Sequence, residues 1–68
     1  MHAFGQFIAE NRRTRGLTQR ELAESLHVTD KAVSKWERGL SYPDVTLLEP
    51  LAEKLELTVA ELMACRRQ

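Results

Sequence analysis

Sixty-eight residues, with 10 Lys and Arg against 10 Asp and Glu, make one small domain of zero formal net charge. A chain of this size is near the lower limit at which a core is stable without a disulfide or a metal. The only cysteine is Cys65 and the only histidines are His2 and His27, which excludes an internal disulfide and a tetrahedral zinc set drawn from this chain. No apolar run approaches the roughly 18 residues of a membrane span or forms a signal-peptide core. The expectation is a single domain over residues 1–68, cytoplasmic, with no metal and no cofactor.

Charge is distributed unevenly. Residues 1–38 carry seven Lys or Arg and five Asp or Glu, and residues 39–68 carry three and five, so that the halves stand at +2 and −2. Apolar residues recur at spacings of 3 and 4 nearly everywhere and nowhere alternate, which predicts an all-α domain of five helices. The first, over Ala3–Thr14, carries Phe4, Phe7 and Ile8 and stops at Gly16. The second, over about 19–26, has Thr18 as N-cap, Glu21 completing a capping box, and Leu17 stapled to Leu22. Leu22, Ala23 and Leu26 share one of its faces.

The third helix, about 30–38, has two opposed faces. At about 100° per residue, Ala32, Val33 and Trp36 fall within one third of the circumference, while Lys31, Ser34, Lys35 and Arg38 lie opposite. Thr29 caps its start, Gly39 ends it, and Val28 can staple to Val33. Only His27-Val28 links Leu26 to Thr29, so the second and third helices must cross steeply, as in a helix-turn-helix, with the small Ala23 at the closest point.

Leu40-Ser41-Tyr42-Pro43 reads as a loop, after which Asp44 is expected to cap a fourth helix displaying Leu48, Leu51, Ala52 and Leu55. Pro50 lies inside that helix, where it lacks an N–H and crowds the carbonyl four residues back, so a kink is expected there. The fifth helix starts at Thr58, with Thr58 and Glu61 as a second capping box and Leu57 stapled to Leu62. Arg66-Arg67-Gln68 closes the sequence without a helix-stop signal, as the N-terminal domain of a longer protein would.

The stretch from Leu17 to Leu62 resembles the phage-repressor-like helix-turn-helix family, also called XRE or Cro-type. The resemblance lies in Leu17-Thr18-Gln19, Glu21-Leu22-Ala23, Val28-Thr29, Ala32-Val33-Ser34-Lys35-Trp36-Glu37, Gly39, Pro43 and the leucines Leu47-Leu48, Leu51-Ala52 and Leu55. It implies a five-helix DNA-binding domain whose helix-turn-helix is formed by helices 2 and 3. The implied function is sequence-specific binding of double-stranded DNA, as a prokaryotic transcriptional regulator; because one recognition helix covers few base pairs and a neutral chain gains little from phosphates, a homodimer on DNA is expected. His27 and Glu56 depart from the family, which often has glycine at these turns. Either these residues hold a left-handed backbone or the turns differ.

Carried over by position, Asp30, Lys31, Ser34 and Lys35 are the candidate base readers. Lysine can donate to guanine O6 or N7, and aspartate can accept from cytosine N4. Asp30 is equally accounted for as an acid favoured by the helix dipole. Thr18, Gln19, Thr29, Arg38, Ser41 and Tyr42 are candidate phosphate contacts, Thr18 through the N–H groups at the start of its helix. Gln19 is also implied to brace the recognition helix, although a solvated side chain is its alternative; for Arg20 the choice is between phosphate and solvent. Arg12 and Glu37 match positions that form a salt bridge joining the first helix to the end of the third.

Trp36 belongs with the core, and His2, His27 and Cys65 have no metal or catalytic partner at a recognisable spacing. Val59 and Met63 suit either a dimer contact or the core. A protein-interaction or antitoxin-like module of the same fold is the second class of function, favoured by the zero net charge. No nucleophile with a base, carboxylate pair or phosphate loop points to an enzyme, so no catalytic residue is expected.

Overall fold

Helices of seven or eight residues are marginal on their own, so the ends of each one matter as much as its core face. The computed structural model describes residues 3–66 and contains five α-helices. They are α1 (Ala3–Thr14), α2 (Gln19–Ser25), α3 (Asp30–Glu37), α4 (Leu48–Lys54) and α5 (Val59–Arg66), with a single 3-10 turn at Val45–Leu47 before α4. Among the described residues there is no strand, and the expected all-α architecture holds. His2 and the side chain of Cys65 lie outside the described residues.

The helix starts are capped as their sequences imply. Thr18 Oγ1 accepts from the Glu21 amide at 3.0 Å while Glu21 Oε1 accepts from the Thr18 amide at 2.8 Å. Thr58 and Glu61 repeat the same reciprocal pair at 3.0 and 2.8 Å. Thr29 Oγ1 accepts from the Ala32 amide at 3.2 Å.

The helix ends share one device. Gly16, His27, Gly39 and Glu56 all have positive φ, at 72, 60, 76 and 60°. The amide of each following residue bonds back five residues: Leu17 to the Arg12 carbonyl, Val28 to Ala23, Leu40 to Lys35 and Leu57 to Ala52, at 2.8 to 3.1 Å. This is the Schellman closure, which satisfies carbonyls that a helix end would otherwise leave unpaired. His27 and Glu56 therefore hold the left-handed backbone of the family's glycines. In three turns the closing residue is apolar and the next is threonine: Gly16-Leu17-Thr18, His27-Val28-Thr29 and Glu56-Leu57-Thr58. One apolar residue thus closes one helix and leads into the cap of the next.

These ends allow one core. Ile8, Leu22, Val33, Leu51, Leu55 and Leu62 are fully buried, and Phe4, Ala23, Leu26, Trp36 and Ala52 complete the cluster. Ala23 is buried on the face of α2 that packs against α3, where a larger side chain would hold the helices apart. Trp36 packs in the core as expected and is not a base-stacking residue.

Two expectations are corrected. Asp44 caps the 3-10 turn, not α4: its carboxylate accepts from the Thr46 amide at 3.0 Å and from the Thr46 hydroxyl. These bonds, the hydroxyl's first, hold the Asp44 carboxyl below its ordinary pKa. The stabilisation they give is present above the ordinary carboxylate range and is lost as pH falls through the lowered value. The kink expected at Pro50 loses its cause, because the α-helical hydrogen bonding begins at Leu48 and puts Pro50 in the first turn, not the interior. An N–H there has no intrahelical partner, so proline gives up nothing.

Gly5 is a contact the sequence does not announce. A Cβ placed on it would lie 2.5 Å from the carbonyl oxygens of both Trp36 and Glu37, so the backbone of α1 touches the C-terminal end of α3. Gly5→Ala is expected to destabilise the domain by about 1–3 kcal/mol, outweighing the roughly 1 kcal/mol alanine gains in helix propensity. Urea denaturation measures the difference, and a stabilised variant would show that α1 moves away freely. His27→Gly is expected to act in the opposite direction, raising stability by about 0.5–1 kcal/mol through relief of the left-handed strain. The same denaturation series checks it.

Candidate nucleic-acid interface

The core decides which face of α3 is free. Val33 and Trp36 are buried and Ala32 packs against the core, so Asp30, Lys31 and Lys35 point outward. Ser34 is half-buried at the edge of this face. Arg38, the C-cap, is exposed, and its Nε donates to the Ser34 carbonyl at 3.4 Å.

The orientation of α3 is set by a polar network at its C-terminal end. Arg12 Nε donates to Glu37 Oε2 at 2.6 Å and Arg12 Nη2 to Glu37 Oε1 at 3.2 Å, a two-pronged contact between α1 and α3. The third prong, Nη1, donates to the Leu17 carbonyl at 2.6 Å and so holds the turn before α2. Gln19 Nε2 donates to Glu37 Oε1 at 2.8 Å and ties in the start of α2. The Arg12 and Glu37 side chains are 10% and 5% exposed, so the pair is largely removed from water. The predicted salt bridge is present, and Gln19 braces α3 as the resemblance implies.

The other candidates are the N-caps of α2 and α3 and two residues of the loop that follows α3. The Thr18 amide donates to Glu21 Oε1 at 2.8 Å within the capping box. The hydroxyls of Thr18 and Thr29 act as acceptors towards the helix starts, and their protons remain for an outside acceptor. Ser41 is half-buried, and the Tyr42 ring lies 5.1 Å from that of Phe4, tilted by 51°. Tyr42 is thus held against α1.

A contact outside the sequence reading is that of Arg20 Nη2 with Asp30 Oδ2, at 4.0 Å. Both side chains are well exposed, so the pair adds little stability. It nevertheless places a cation of α2 beside the first residue of α3. No local signal gives it away, since the two residues meet only because of the crossing angle of the two helices.

The helix-turn-helix family model matches residues 8–62, from within α1 to within α5. The chain belongs to that helix-turn-helix family. The HTH-type transcriptional activator BcrR of Enterococcus faecalis is 36% identical over 61 residues. That match covers 90% of this chain but only 30% of BcrR, so the chain spans less than a third of the relative's length. Among solved structures, the N-terminal DNA binding domain of SinR from Bacillus subtilis is 33% identical with a TM-score of 0.80, each chain covered to 93%. The P22 c2 repressor, solved in complex with a synthetic operator, is 27% identical with a TM-score of 0.83, covering 87% of this chain and 89% of that one. The phage-repressor-like resemblance and the fold are thereby established for this helix-turn-helix domain.

The buried network yields a stability test. Removing one partner leaves an uncompensated charge in a site with little water, so Arg12→Ala and Glu37→Ala are each expected to cost about 3–5 kcal/mol. An apolar pair of similar size, Arg12→Met with Glu37→Leu, removes both charges and is expected to be less damaging than either single variant. Denaturation of the four proteins checks this. A double variant with the summed loss of the two singles would show that the side chains do not act as a pair.

Proposed function

We propose that this helix-turn-helix domain, taken as one unit over residues 1–68, binds double-stranded DNA sequence-specifically as a prokaryotic transcriptional regulator. The observation that carries the reading is the outward face of α3, where Lys31 and Lys35 stand opposite the buried Val33 and Trp36. An α-helix fits the major groove, and the groove face of such a helix meets base edges. Lys31, Ser34 and Lys35 read bases, with Asp30 beside them. Thr18, Gln19, Thr29, Arg38, Ser41 and Tyr42 meet the sugar-phosphate backbone. The likeness to the DNA binding domain of SinR and to the operator-bound P22 c2 repressor supports this reading.

Binding as a homodimer belongs to the same proposal, because one recognition helix covers few base pairs and a chain of zero net charge gains little from phosphates alone. Val59, at 36% exposure, lies at the start of α5 and is available for such a contact. A cytoplasmic location and the absence of catalysis are part of the reading. Among the described residues no helix is long and apolar enough to cross a membrane, and no three His, Cys, Asp or Glu side chains gather at a metal position. A protein-interaction module of the same fold is the second reading, and exposed Leu40 and Val45 favour it.

Selection of bound duplexes from a random pool tests the first reading and gives the half-site spacing of a dimer. On the enriched duplex, Lys31→Ala and Lys35→Ala are each expected to lose about 1–3 kcal/mol of binding and to relax preference at one defined position. A doubly substituted protein that folds normally and retains the parent's affinity and preference would overturn the assignment and leave the interaction module in its place.

A further inference from the structure

Ion pairing divides the described cations into two groups. Arg12 is engaged by Glu37, Arg15 lies 3.6 Å from Glu56, and Arg20 lies 4.0 Å from Asp30. Among the described residues Arg13, Lys31, Lys35, Arg38 and Lys54 have no such carboxylate. Lys54 stands apart, in a cleft it shares with Arg15, Glu53 and Glu56. Lys31, Lys35 and Arg38 belong to the outward side of α3, and Arg13 is on α1.

The fold brings Arg13 to one of them, Arg38. An open groove of about 490 Å³ runs between α1 and α3, lined by Gln6, Glu10, Arg13, Gln19, Ser34 and Arg38. Arg13 rises from its α1 side and Arg38 from its α3 side. Glu37 also reaches this groove, but its carboxylate is already satisfied by Arg12 and Gln19. Glu10 is the one other acid there, and it forms no ion pair with Arg13 among the described contacts.

We infer that α1 is part of the nucleic-acid interface, with Arg13 and Arg38 flanking a groove that takes a backbone phosphate of the duplex. The inference rests on the DNA-binding reading above and extends it to a helix outside the motif. A helix about 10–12 Å across fills a major groove about 12 Å wide, so what flanks it faces the sugar-phosphate strands. The groove between α1 and α3 is such a flank. A phosphodiester offers two unbridged oxygens, and the guanidinium fork can give each a hydrogen bond. Glu10 opposes the anion there, so the groove's affinity for phosphate is set by two arginines acting against one carboxylate.

The test is a salt series of binding isotherms for the chain on the enriched duplex and on a scrambled one. Arg13→Ala is expected to weaken both to a similar extent and to flatten the plot of log K against log salt by about 1. Glu10→Gln is expected to strengthen both. Lys54→Ala changes formal charge as Arg13→Ala does, lies outside the groove, and is expected to leave the enriched-to-scrambled ratio and the slope near those of the parent. Arg13→Ala with unchanged slope, while Lys31→Ala with Lys35→Ala loses sequence preference, would take α1 out of the interface and leave the DNA-binding reading standing. A relaxed preference at one base position in Arg13→Ala, or an equal loss in Lys54→Ala, would overturn the phosphate assignment. A parent chain with no salt-dependent binding to the enriched duplex would overturn the reading and the inference together.

Discussion

Three helices meet at the Glu37 carboxylate, and the direction of α3 depends on that meeting. Arg12 comes from α1, its third prong holds the carbonyl of Leu17, and Gln19 comes from the start of α2. A buried ion pair contributes little net stability, because the cost of removing two charges from water offsets most of their attraction. Its geometric consequence is larger. A planar guanidinium and a planar carboxylate meet well in few orientations, and the third nitrogen of Arg12 has a partner as well, in the Leu17 carbonyl. Beside this network, Gly5 lets the α1 backbone rest against the carbonyls of Trp36 and Glu37, a contact that any Cβ would open. Side-chain bonds and backbone contact therefore fix the same end of α3 from the same helix. The opposite end is held by the Thr29 cap and by Val28, packed on the core. With both ends held and Val33 and Trp36 buried, the outward residues of α3 have one direction in which to point.

The helices themselves are short enough that local chemistry at their ends is decisive. Each of the turns after α1, α2 and α4 repeats a left-handed residue, an apolar residue and a capping threonine, which end one helix and start the next within three positions. Short links of this kind leave few possible crossing angles. They also explain why two turns accept His27 and Glu56 in place of glycine: the strain of a left-handed non-glycine residue, about 1–2 kcal/mol, is opposed by a closure that bonds back onto the helix and buries an apolar side chain.

Much of this was legible in the sequence, because caps, staples and helical spacing are local signals. The capping pairs Thr18 with Glu21 and Thr58 with Glu61, the burial of Trp36 and the outward face of α3 all follow from residues within one or two turns of each other. The Arg12–Glu37 pair was legible only through the family resemblance, since the partners are 25 residues apart. Gly5 gave no signal, as its meaning depends on carbonyls of a helix more than 30 positions away. Arg20 and Asp30 were each read alone for the same reason. Pro50 was misread because apolar spacing does not distinguish a 3-10 turn from the α-helix that follows, and the position of a proline relative to the first α-helical hydrogen bond decides whether it disturbs anything.

Zero net charge is compatible with the proposed interface once pairing is considered together with number. The acid Glu37 is buried and neutralised by Arg12, and Asp30 stands against Arg20, so two acids in or beside the helix-turn-helix have basic partners. Lys31 and Lys35 on α3, and Arg13 and Arg38 on either side of its groove, keep their charge without a carboxylate among the described residues. Most of the acids in the second half of the chain, Asp44, Glu49, Glu53 and Glu56, lie on α4 and its flanking turns. The field that a partner meets depends on this separation, not on the sum. A surface with four unpaired cations around one helix attracts a polyanion in one orientation, whereas an evenly basic chain would attract it in many.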